Sequence, residues 1–170
     1  MHDLDLLDLD DIRSLQAALG WLGLNSPADA RAELDAIALA QQSHPAVLEA
    51  RWMLYAHEKN WRDALAVAER ELAAAPDDSS GWLHRAYALR RVAGGSLAQA
   101  WDALLPAAEK FSNEPVIAFN LSCYACQENQ REIALDWLQR AMKIGGKDTI
   151  KKTALADEDL QPLWPEIRNL

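Results

Sequence analysis

The chain has 170 residues, half of them hydrophobic and a quarter charged, with seven prolines and seven glycines. That composition is ordinary for a globular protein, long enough for one real core or a short helical array, and it excludes a fibrous or disordered chain. Seventeen basic against 26 acidic residues leave a net charge of −9, which argues against nucleic acid and an anionic membrane as partners.

The opening "MHDLDLLDLDD" carries five aspartates. It lacks the basic start and apolar run of a secretory signal, so the cytoplasm is the expected location. Asp10 or Asp11 is expected to cap the first helix, with docking on a basic partner as the sharper alternative. No stretch reaches the roughly 20 apolar residues of a membrane helix.

From Asp11 onward the chain divides into four lines, 11–44, 45–78, 79–114 and 115–148. Ala30, Ala64, Ala100 and Ala134 form one column, spaced by 34, 36 and 34 residues. Gly94 and Gly95 supply the two extra residues of the third line. Leu34, Ala68, Leu104 and Leu138 come four residues later, and Ala18, Trp52, Ala86 and Ser122 form a mostly small column upstream.

Each line splits into two helical halves. In the first line Pro27 opens the second half, a position where proline is tolerated. In the second, "AVLEARWMLYAHE" is interrupted by "KNW", and "RDALAVAERELAAA" runs until Pro76 stops it. In the fourth, "PVIAFNLSCYACQ" turns at "ENQ" into "REIALDWLQRAMKI", which ends at a glycine pair. After it, "TIKKTALA" reads as one more short helix, and Leu155, Leu160, Leu163 and Trp164 suit a cap over the last apolar face. No useful strand pattern occurs, so the class is all-α. Small facing columns let paired helices approach closely, and pairs must stack to bury their faces.

The period, the small residue opening each second helix, Trp82, Ala86 and Tyr55 on the first helices, and Ala107, Ala141 and Pro76 on or after the second resemble the tetratricopeptide repeat. The resemblance covers about 140 residues. It implies a right-handed α-solenoid of about four helix–turn–helix repeats spanning residues 1–148, with a C-terminal capping helix in 149–170. Trp52 departs from the pattern, which wants Gly or Ala there, and so implies a splayed or locally shifted pair. The resemblance also implies a concave groove lined by first helices. Its candidate partner-binding residues are Met53, His57, His84, Tyr87, Arg90, Arg91, Phe119, Asn120, Cys123 and Gln127. Tyr87, Phe119 and Met53 would hold apolar side chains. Arg90, Arg91 and His84 would meet carboxylates, and Asn120 would bond a peptide backbone. The family's carboxylate clamp of groove lysines and asparagines is not supported, since these columns hold no lysine and only Asn120.

Cys123 and Cys126, the only cysteines, form a C-x-x-C in mid-helix. A redox couple would prefer a helix N-terminus, and a zinc site would need two further ligands. They read as small residues on the groove helix. Trp21, Trp61 and Trp82 fall at core columns; Trp101 and Trp137 lie on second helices. The expected function is a non-enzymatic interaction module, without cofactor or metal, binding a peptide or helix of another protein as a scaffold or chaperone-like adaptor. Self-assembly through exposed Trp101 or Trp137, giving a weak homo-oligomer, is the alternative. A thiol-based redox regulator is a third reading.

Overall fold

The computed structural model describes residues 7–170, so the first aspartates, Asp3 and Asp5, lie outside the described residues. The described residues are helical, without strands, and the fold is all-α and tetratricopeptide-like. No helix among them is long and apolar enough to cross a membrane. The chain forms two compact units, Met1–Gly94 and Gly95–Leu170. Their boundary falls at the glycine pair, inside the line 79–114.

The first unit holds α1 (Leu9–Gly23), α2 (Pro27–Ala36), α3 (Pro45–His57), α4 (Trp61–Ala74) and α5 (Ser80–Leu89). The cap of α1 is Asp8, whose carboxylate accepts the backbone N–H of Asp10 at 3.1 Å and of Asp11 at 2.9 Å. Asp10 and Asp11, the expected caps, are already inside the helix. Asp11 instead turns inward and is buried, and it accepts the Ala38 N–H at 2.9 Å. Consecutive helices pack on each other around Leu15, Ala18, Leu34, Val47 and Leu54.

Two reversals in this unit share one geometry. Asn25 and Lys59 adopt left-handed backbone at φ 61° and 57°. The next residue then reaches back to a carbonyl of the preceding helix. Ser26 donates to the Trp21 carbonyl at 2.9 Å, and Asn60 to the Tyr55 carbonyl at 2.8 Å. This closure satisfies carbonyls that the helix end would leave open. Between α4 and α5 the approach is closer still. A Cβ added to Gly81 would lie 2.7 Å from the Leu72 backbone nitrogen, so only glycine fits.

The second unit holds α6 (Leu97–Leu104), α7 (Ala107–Lys110), α8 (Pro115–Gln127), α9 (Arg131–Gly145), α10 (Lys147–Ala154) and α11 (Trp164–Asn169), with a 3-10 segment at Glu158–Leu163. Pro106 separates α6 from α7, because it lacks an N–H and its ring crowds the preceding turn. Asn129, at φ 59°, repeats the left-handed closure, and Gln130 donates to the Ala125 carbonyl at 2.8 Å. Past α9 the tail folds back. The Trp164 indole donates to the Ala154 carbonyl at 3.1 Å, the 3-10 segment packs on α8, and Leu160, Leu163 and Ile167 are fully buried.

The columns have physical content. Ala30, Ala64, Ala100 and Ala134 are completely buried, as are Leu34, Ala68, Leu104 and Leu138. Ser122 is buried too, and its hydroxyl donates to the Ala134 carbonyl at 2.7 Å. Trp21 departs from its expected core place. It is 37% exposed near the C-terminal end of α1.

Candidate binding site

Three of the six expected groove residues of the first unit, His84, Tyr87 and Arg91, are engaged within the fold. Trp52, on α3, lies flat on the His84 ring, with centroids 3.7 Å apart and planes 7° from parallel. The large side chain at this small-residue position is thus accommodated by stacking on α5. Tyr87 meets Trp52 edge-on at 5.8 Å and Trp61 at a tilt at 5.7 Å. The Arg91 guanidinium sits 3.4 Å from the Tyr87 centroid and 5.4 Å from that of Trp61, and its Nη1 donates to the Tyr87 carbonyl at 3.0 Å. His84 Nδ1 lies 2.7 Å from Glu71 Oε2, and Glu71 is buried, so this carboxylate has a polar neighbour where an isolated one would be costly. His84 and Arg91 therefore serve the junction of α3, α4 and α5, and meeting a partner's carboxylate would require breaking these contacts. Arg90 is half-buried just past α5.

What stays open in this unit is simpler. Met53 of α3 and Leu19 of α1, 34 residues apart and on helices that pack together, are each 42% exposed. His57 is exposed near the end of α3 and lies 2.8 Å from Asn25 Oδ1.

In the second unit Phe119 and Asn120 are half-buried on α8, and Asn120 Nδ2 donates to the Val116 carbonyl of its own helix at 2.9 Å. Gln127 is exposed but donates to the Asp159 carbonyl at 2.7 Å. Cys123 is not a groove residue: it is 3% exposed, because the segment after α10 covers this face of α8. Its Sγ is 3.9 Å from Asp157 Oδ2. The two cysteines are not joined in a disulfide. Burial, then the negative charge of Asp159, pushes the Cys126 thiol above its ordinary pKa, with Arg131 opposing. A thiol held protonated is a poor nucleophile, which counts against the redox reading. Cys123 Sγ and one oxygen each of Asp157 and Asp159 lie within 4.8 Å of one another, so these are donors a cation could share. Asp157 already caps the 3-10 segment through the Asp159 N–H at 2.9 Å. Trp101 and Trp137 meet edge to face at 6.2 Å, and the Arg140 guanidinium lies 4.9 Å from the Trp137 centroid.

Sequence reasoning missed the Trp52–His84 stack, and it expected a tail cap over the last apolar face without foreseeing that the cap would bury Cys123 on α8. Neither leaves a local signal, since each joins residues more than 30 apart.

The chain matches no protein-family model and no curated protein. Among solved structures it resembles one described as "MamA RS-1 ArsTM double mutant", with a TM-score of 0.67 over 81% of this chain and 77% of that one, at 16% identity. The likeness is one of fold. It agrees with the tetratricopeptide-like architecture, and MamA is similar to this chain in that respect alone.

Proposed function

We propose that the protein is a non-enzymatic interaction module, a cytoplasmic scaffold or chaperone-like adaptor, that takes a peptide or helix of another protein against α1 and α3. One observation carries this reading. Leu19 and Met53 are large apolar side chains left 42% exposed at equivalent positions of two adjacent first helices. Repeating helices that keep apolar groups in register outside the core present a surface suited to a partner's side chains. His57, exposed on the same helix as Met53, adds a polar group. Self-assembly through Trp101 and Trp137 has less support, because these rings are half-buried against each other.

The test is affinity capture from the native cell with the wild type and a Leu19→Glu/Met53→Glu variant, both checked for helicity. Loss of specific partners by the variant is the expected result. Recovery of the same partners in the same amounts overturns the reading.

A further inference from the structure

A second site lies wholly within the second unit. Between α6 and α8 there is a cavity of about 130 Å³. Leu97, Trp101 and Tyr124 form its apolar walls, and Asp102, Glu128 and Gln130 bring polar groups to it. Trp101 also meets Trp137 edge to face. Asp102 and Glu128 are exposed. Among the described residues neither carboxylate has a hydrogen-bond or ion-pair partner. Arg131, at the start of α9, is paired with Glu166 of α11.

We propose that this cavity receives a lysine or arginine side chain from a basic segment of a protein partner. Three features select that chemistry. The volume is well below the roughly 300 Å³ at which small-molecule and cofactor sites begin, so it suits one side chain. The Trp101 ring and Leu97 offer apolar surface to an aliphatic stem, and an aromatic ring attracts a cation. The two unpaired carboxylates repel an anion, gain nothing from a neutral apolar group, and gain charge-assisted hydrogen bonds from an ammonium or guanidinium. The chain's net charge of −9 draws a basic segment toward the site. The proposal is independent of the α1/α3 face and uses none of its residues.

The test follows amide and indole NMR shifts of the full chain during titration with n-butylammonium, 1-butanol, butyrate, and a short neutral-capped peptide containing one lysine. Saturable shifts at Leu97, the Trp101 indole and Glu128 are expected with the amine and the peptide, tighter with the peptide, and absent with butyrate. In an Asp102→Asn/Glu128→Gln variant with an otherwise unchanged spectrum, both should bind about tenfold more weakly. The Leu19→Glu/Met53→Glu variant should bind both as the wild type does, which separates this site from the other. Equal shifts with 1-butanol would show an apolar cavity only. Unsaturable shifts scattered over acidic residues would show unspecific charge. Binding of the amine but not the peptide would show a small-molecule amine site. Each of these outcomes, or undiminished binding in the carboxamide variant, overturns the proposal.

Discussion

Met53 of α3 and Cys123 of α8 occupy the same column of the repeat, yet one is 42% exposed and the other 3%. Both helices begin at a proline, both are 13 residues long, and both turn through a left-handed residue into their partner helix. The difference lies in the chain downstream of each helix pair. In the second unit the 3-10 segment packs on α8 and is pinned there by the Gln127–Asp159 bond and by Asp157 beside Cys123. In the first unit Met53 has no such cover. Equivalent positions in a repeat thus share backbone geometry but not solvent, and a position's role depends on whether a later segment returns to it.

Removing the cover is the most direct way to break this contrast. Leu160→Ala truncates a fully buried side chain in the covering segment and should cost about 2–4 kcal/mol in chemical denaturation. It should also speed native-state alkylation of Cys123 and Cys126. Unchanged thiol rates would show that the segment does not shield α8. Gly81→Ala tests the other unit. Its new methyl would meet the Leu72 backbone at 2.7 Å, so a loss of about 1–3 kcal/mol is expected, with thiol reactivity in the native state unaltered.

Ser122→Ala deletes the hydroxyl that bridges α8 to the Ala134 carbonyl. Urea melts should show a loss of about 1 kcal/mol. Lys59→Gly goes the other way. Lysine at φ 57° bears a left-handed backbone that glycine adopts freely, so thermal unfolding should show a gain of up to about 1 kcal/mol. The smallest effect is expected from Cys126. Its thiol binds a proton more tightly folded than unfolded, so its contribution is complete below the unfolded thiol pKa of about 8.5. That contribution declines as pH rises above that value. Comparing the pH dependence of urea melts for wild type and Cys126→Ser isolates it; identical slopes would remove the assignment.

The fold was legible because its columns are local arithmetic. Ala30, Ala64, Ala100 and Ala134 recur at nearly constant spacing, and a buried methyl at each is what a close helix pair requires. The first cap was missed by two or three residues because Asp8, Asp10 and Asp11 are chemically equivalent in sequence; which one caps depends on Asp11 reaching the Ala38 N–H, 27 residues away. The candidate site was harder. His84, Tyr87 and Arg91 look like free groups in a helix pattern, but Trp52 and Trp61 from other helices fill the space above them. Side-chain partners across helices are set by tertiary packing, which periodicity does not encode. Leu19 and Met53 remained exposed because no described segment returns to cover them.

The alanine column bears on how freely this chain can change. Where two helices touch through a single methyl, the limit is one of volume, and it falls on a few positions per period. Elsewhere a residue need only be apolar or polar as its side demands. The information that specifies the architecture is therefore sparse, and most of the text can be rewritten without altering the shape it spells. A fold held this way can be shared by chains that no longer resemble each other letter by letter.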